Sequence, residues 1–393
     1  IRKMKNKKLK KVLLIGCGSE IGSMLISMND SKKDGFIIDT VLTKKIDKKD
    51  SLKSIYARMV ILNPNLVDKI LINKKKDTIK INNKEIKFIW GDIKKIKVGI
   101  LKKKFDATIV ATSKTHISNK NLMKKFLKIS NYVLGVAESE NIPSLYPNLI
   151  STKSKIIEKN PQNVKNVENK IFALGSCQSN GWQAQLKALT EIFKNSELEY
   201  FKMLGTEVDI VHPDTPQGRL GTKSIQARDQ DARNNLRPSF SQVKISMDKL
   251  FPSSNNVHTI SLRTLVNPPG FQIVRFFFKH KLKNGKTMSK TDILGRLKEF
   301  SKKNPEILRL SDSSLGSRAY ESMETSAVTL AEEKYFHYYQ NIFSTPNNRS
   351  DICQIIMQSY IHNTRGYCKS VLNCLSHIFK KRDKTFYFAN KKH

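Results

Sequence analysis

The run Val12-Leu13-Leu14-Ile15-Gly16-Cys17-Gly18-Ser19-Glu20-Ile21-Gly22 decides the fold class of this chain. Residues 12–15 are a short apolar run of strand type, and glycines follow at once. Behind them, residues 23–28 read as the first turns of a helix. Strand, glycine turn and helix start form a dinucleotide-binding opening: glycines let the backbone approach a pyrophosphate, and the helix N-terminus binds it. The spacing is one residue longer than GxGxxG, and the competing reading is a plain tight turn. Gly16, Gly18 and Gly22 are the expected cofactor contacts.

Working outward, a second strand over 36–43 ends in Thr43-Lys44-Lys45. NAD enzymes usually carry an acid there for the ribose hydroxyls. Lys44 and Lys45 suit a 2′-phosphate instead, so the cofactor is read as NAD or NADP, with NADP favoured. Ile70-Leu71-Ile72, Thr78-Ile79-Lys80-Ile81 and Ile86-Lys87-Phe88-Ile89-Trp90 look like hairpin strands, with Asn82-Asn83-Lys84 as the turn. Residues 105–112 form a further buried strand that ends at Thr112, a small polar residue suited to a cofactor edge. Residues 132–137 form another. Strands alternating with helices call for a mostly parallel sheet.

Ile171-Phe172-Ala173-Leu174-Gly175-Ser176-Cys177-Gln178-Ser179-Asn180 ends a strand in a cysteine, ahead of a helix expected over 182–193. The macrodipole and free N–H groups of a helix N-terminus favour a thiolate. That activates a nucleophile for covalent catalysis at a carbonyl, and a buried, inert cysteine is the alternative. The helix end is expected to depress the Cys177 thiol below its reference value of about 8.5. The other cysteines have weaker claims. Cys17 lies in the glycine turn, Cys353 and Cys374 fall on stretches read as apolar helix, and Cys368 follows Gly366-Tyr367.

The order of glycine turn, hairpin region, S-C-x-x-N and long helix resembles the glyceraldehyde-3-phosphate dehydrogenase family. Residues 76–92 are similar to that family's DGKLVINGK hairpin, and Ser176-Cys177-Gln178-Ser179-Asn180 resembles its S-C-T-T-N motif. Ser311-Asp312-Ser313-Ser314 and Met323-Glu324-Thr325-Ser326 resemble its late substrate-domain strands, and Asn363-Thr364-Arg365-Gly366-Tyr367 sits where it has W-Y-D-N-E-x-G-Y. The likeness is loosest between 195 and 260.

The resemblance implies an α/β fold with a Rossmann-type NAD(P)-binding domain over 1–177, an inserted α+β catalytic domain over 178–352, and a C-terminal segment, 353–393, whose helix returns to the first domain. Residues 370–379 supply that helix, with Val371, Leu372, Leu375 and Ile378 at helical spacing. It also implies that Cys177 attacks an aldehyde, phosphorylated or not, and that Asn363 touches the nicotinamide amide. Phosphate or water then releases the acyl group, and the chain assembles as a homotetramer. The family's base is a histidine. A strict count from Cys177 lands on Leu204, and the first histidine after it is His212, which an insertion would bring into place.

The phosphate-binding parts depart from the family pattern. Gln178 replaces a threonine, and Pro238-Ser239-Phe240-Ser241 stands in place of P-x-S-T-G. Ser176 and the arginines Arg219, Arg228, Arg233 and Arg237 are the candidates for a substrate's anionic group, since guanidinium forks bind phosphate or carboxylate.

Composition bounds the alternatives. The 393 residues suggest two or three domains at about 100–200 residues each. With 39% hydrophobic residues, wholesale disorder is excluded. No apolar run reaches the roughly 18 residues that span a bilayer. Five scattered cysteines without a CxxC pair argue against a disulfide scaffold and a structural zinc site, so no metal is expected and a reducing, cytoplasmic setting fits. Ile1-Arg2-Lys3-Met4-Lys5 lacks the apolar core of a secretory signal. The net charge of +37 keeps a rival open: a non-catalytic relative serving as a basic nucleic-acid-binding or scaffolding protein.

Overall fold

The computed structural model describes residues 9–45, 50–81, 84–101, 103–150, 152, 154–158, 170–213, 236–254, 256–264, 266 and 268–389. Among them the chain is mixed α/β with two mixed sheets. It divides into two compact units: 1–144 with 164–174 and 371–393, and 145–163 with 175–370.

In the first unit, the sheet order is β3 (Ile70–Asn73), β4 (Thr78–Ile81), β5 (Lys84–Trp90), β2 (Phe36–Thr43), β1 (Lys10–Ile15), β6 (Ala107–Val110), β7 (Val133–Gly135) and β8 (Ile171–Ala173). From β5 to β8 every pairing is parallel, and β3–β4–β5 is an antiparallel meander. Val12, Leu13, Leu14 and Ile15 are all buried, as strands covered on both faces require. The helices here are α1 (Glu20–Met28), α2 (Ser31–Asp34), α3 (Ser51–Leu62), α4 (Lys114–Ser118) and α5 (Lys120–Lys125).

The second sheet runs β10 (Arg237–Pro238), β11 (Val257–Thr264), β9 (Leu198–Pro213), β12 (Gly270–Leu282), β16 (Cys353–Ile361), β14 (Ala327–Leu330) and β13 (Leu308–Ser311), with β15 (His337–Tyr339) beside β16. One face carries Val208, Ile210, Val274, Phe276, Phe278, Ile355 and Met357 into a core shared with α6 (Cys177–Ile192), α7 (Val243–Leu250) and α8 (Lys290–Lys303). Trp182, Leu186 and Leu189 of α6 meet Ile293, Leu297 and Phe300 of α8 there.

Three expectations are corrected. Cys353 lies on a strand, not a helix: burial alternates with period two over Cys353–Ile361, and the segment pairs antiparallel with β12. The helix expected over 182–193 begins at Cys177, because Ser176 supplies an N-cap. The C-terminal helix is longer than 370–379: α9 spans Arg365–Ala389. Within the first unit, Ser376 of α9 donates to the Asp34 carbonyl at 2.7 Å, and Phe379 meets Phe36 edge-on at 5.6 Å. No described helix is long and apolar enough to cross a membrane.

Candidate functional site

Gly16 leaves β1 with φ of +94°, its N–H bonded to the Leu42 carbonyl at 2.8 Å. A Cβ there would stand 2.5 Å from the Ala111 carbonyl oxygen and 2.7 Å from Thr112 Cγ2, so only glycine fits. At Gly22 a Cβ would fall 2.1 Å from the Gly16 carbonyl oxygen, because α1 sits directly on the turn. Gly18 differs: a Cβ there would meet nothing within 4 Å. The three glycines thus separate into a turn former, a helix-packing position and an open position where a ligand's phosphate can approach the backbone. Ser19 caps α1 by accepting from Gly22 N at 3.3 Å.

Thr112 Oγ1 is buried beside this turn without a hydrogen-bond partner among the described residues. The open Gly18 and this orphaned hydroxyl fit a dinucleotide, whereas the exposed Glu20 in the first turn of α1 would repel a pyrophosphate. Arg58, absent from the sequence reading, is buried on α3 and donates to the Gly18 carbonyl. No local pattern marks it, since α3 is far from the turn in sequence.

Lys44 and Lys45 both stand exposed after β2. Lys44 is committed to Asp92 at 2.8 Å, and this hydrogen bond, with one from Lys94 N, holds the Asp92 carboxyl below the ordinary carboxylate range. Asp92 follows β5, the strand beside β2, so sequence distance conceals the pair.

In the second unit, Gly175 takes φ of +79° and Ser176 caps α6, its hydroxyl oxygen accepting from Ser179 N at 3.1 Å. Ser176 is therefore engaged in holding the helix start. Cys177 is the first helical residue. It is partly exposed, while the other four cysteines are buried. Burial pushes the Cys17 and Cys374 thiols up to about 12.

His212, near the end of β9, lies with Nε2 4.0 Å from Cys177 Sγ. Its Nδ1 is 2.5 Å from the Pro213 carbonyl oxygen and 2.7 Å from Arg263 Nη1. A protonated Nδ1 donates to Pro213 and leaves Nε2 bare toward the sulfur. A bare Nδ1 accepts from Arg263 and leaves Nε2–H facing the sulfur. The pair can therefore take a thiol proton or donate to developing negative charge.

Arg263 is opposite His212 because β11 and β9 run parallel in that register. Its Nε also donates to Ser239 Oγ at 3.3 Å, which brings a guanidinium and a hydroxyl beside the histidine. Sequence reasoning missed it, since only the strand pairing brings the two together. Of the arginines expected to bind an anion, Arg219, Arg228 and Arg233 lie outside the described residues, and of Arg237 only the backbone is described, paired with Arg263.

Asn363 is buried, and its Oδ1 accepts from Gln178 Nε2 at 2.8 Å. Gln178 Oε1 accepts from Gln272 Nε2 at 2.6 Å, and Gln272 Oε1 from Gln185 Nε2 at 3.4 Å. Four amides thus stand in one row beneath the Cys177 turn. Among the described residues no group of three or more His, Cys, Asp or Glu gathers as a metal site. Compared with known proteins, the chain matches no family model, and no curated protein matches it significantly.

Proposed function

We propose that this chain is a nicotinamide-dependent aldehyde dehydrogenase of the glyceraldehyde-3-phosphate dehydrogenase type. The observation that carries the reading is Cys177 at the start of α6, partly exposed, with His212 Nε2 at 4.0 Å. The parallel run of the first sheet and the three distinct glycine environments support a Rossmann-type cofactor domain, with the second unit as an inserted catalytic domain. The contacts of Ser376 and Phe379 with Asp34 and Phe36 support a C-terminal helix returning to the first domain.

In this reading the Cys177 thiol gives its proton to His212 Nε2, and the sulfur attacks the aldehyde carbon. The carbonyl electron pair moves onto oxygen, where the Cys177 backbone N–H and His212 Nε2–H hold it as the thiohemiacetal forms. Bound NAD or NADP supplies the two-electron acceptor for the hydride that leaves the same carbon. His212 takes the hydroxyl proton as the thioester forms, and phosphate or water cleaves the carbon–sulfur bond to free Cys177. Arg263 with Ser239 is the anion-binding pair nearest this chemistry, and it fits a phosphorylated substrate or the acceptor phosphate. Gly16, Gly18, Gly22 and Thr112 would hold the dinucleotide. Lys45 is the lysine left for a 2′-phosphate once Asp92 holds Lys44.

For the homotetramer of this reading, the candidate surface is the sheet face opposite α6, α7 and α8. Val211, Phe271 and Tyr360 are neighbours across three strands there and are partly exposed, with Ile260 at 63% exposure nearby. An exposed apolar patch of this kind suits an association surface. The test of function is a screen of phosphorylated and unphosphorylated aldehydes with both cofactors, read as reduced-nicotinamide absorbance. Turnover that disappears on blocking Cys177 is the expected result, and no turnover on any aldehyde with either cofactor overturns it.

A further inference from the structure

We infer that Tyr367 is a positioning residue for Cys177, acting through the Gly175 carbonyl; the inference rests on the covalent reading above. Tyr367 is 1% exposed, and its hydroxyl donates to Gly175 O at 2.6 Å. Gly175 is the left-handed residue just before the Ser176 cap of α6, so this bond fixes the peptide plane that leads into Ser176 and Cys177. Left unmet, that carbonyl would present negative partial charge close to the helix end where a thiolate must form. The hydroxyl cancels it, and in a buried setting such a bond is stronger than in water.

Tyr367 is itself held in place. It lies in the first turn of α9, with its N–H on the His362 carbonyl at 3.3 Å. A Cβ on the adjoining Gly366 would stand 2.0 Å from the Thr325 carbonyl oxygen, so this turn is seated on backbone. Two further ties run in parallel: Gln178 to Asn363 at 2.8 Å, and Asn180 to Ser370 at 3.1 Å. Asn148 donates to the Asn180 carbonyl at 2.9 Å, and Ser326 bonds Ser370 at 2.7 Å, which closes a buried polar brace. Among these ties, the Tyr367 hydroxyl is the one that meets the backbone ahead of the nucleophile's cap.

The test is the rate of Cys177 alkylation by iodoacetamide against pH, followed by peptide mass, in the wild type and in Tyr367→Phe. Loss of one buried hydrogen bond is expected to slow labelling at neutral pH roughly three- to tenfold. The midpoint of the pH profile should move upward, and the alkaline plateau should be kept. A merely structural tyrosine would lower the melting temperature and leave the midpoint where it was, and that result overturns the inference. Gly175→Ala disturbs the same bond from its other end. It should shift the midpoint in the same direction, and it carries the test if Tyr367→Phe does not fold. Fast wild-type labelling with both variants unchanged refutes the clamp alone. Wild-type labelling no faster than a free thiol refutes the covalent reading, and the clamp with it.

Discussion

Two turns in this molecule are built alike and behave differently. Each leaves a parallel strand through a left-handed glycine, Gly16 at +94° and Gly175 at +79°, and each has a cysteine and a capping serine at the start of a helix. In the first, Cys17 precedes the cap Ser19 and turns inward: its N–H meets Thr43 Oγ1 at 3.2 Å, its sulfur faces Ser23, and its side chain is fully buried. In the second, Cys177 follows the cap Ser176 and faces outward toward His212. A shift of the cysteine from one side of the cap to the other separates a buried packing group from a partly exposed thiol beside an imidazole. The glycine turn needs a small inert residue under it; in the proposed chemistry the second turn needs a sulfur at the helix end.

The contrast breaks most sharply at the thiols themselves. Cys177→Ser should abolish aldehyde oxidation and leave dinucleotide binding intact, whereas Cys17→Ala should keep turnover. Steady-state rates and calorimetric binding for both variants check this, and turnover surviving in Cys177→Ser would end the covalent reading. Next in size, His212→Asn should slow the reaction by roughly 10²–10⁴-fold, the span of a lost general base. A pre-steady-state burst would show whether the loss falls on acylation.

A smaller effect sharpens the first turn. Gly22→Ala drives a methyl against the Gly16 carbonyl and should cost about 1–3 kcal/mol of stability, seen in urea unfolding. Gly18→Ala has open space and should leave the melting curve unchanged while weakening the cofactor. If both variants lose stability and neither loses cofactor, the turn is only a turn.

The last effect is confined to alkaline pH. Burial raises the folded-state pKa of Cys17 and Cys374 from 9.0 to about 12, so the folded chain keeps protons that the unfolded chain has lost. Their contribution to stability is fully present below pH 9 and declines as pH rises toward 12. Replacing both by Ala should flatten that alkaline decline in a denaturation series. An unaltered slope would assign the decline to other groups.

What was readable in the sequence was local. The glycine turn, the meander from β3 to β5 and the cysteine at a helix start carry their signals within a few residues, through backbone permissiveness, period-two alternation and the switch from strand to helix pattern. His212 was reachable only as the first histidine past Leu204, because the chain between them is one continuous strand. Arg263, Arg58 and Asp92 were invisible, since each acquires its partner through strand or helix packing. Cys353 was misread because nine residues of mixed apolar and polar character fit either period until a partner strand selects one.

The amide row under Cys177 has a direction. Gln185 donates to Gln272, Gln272 to Gln178 and Gln178 to Asn363, so the four side-chain dipoles point head to tail. Such an array behaves as a single oriented object: each donor fixes which way its neighbour must face. Reversing one amide would require every other to reverse, and a carboxylate at Gln185, Gln272 or Gln178 would leave two acceptors confronting each other. Gln185, which bonds neither Cys177 nor His212, therefore dictates which end of the Asn363 amide remains available. For anyone redesigning this protein, the far end of that row is as consequential as the near one.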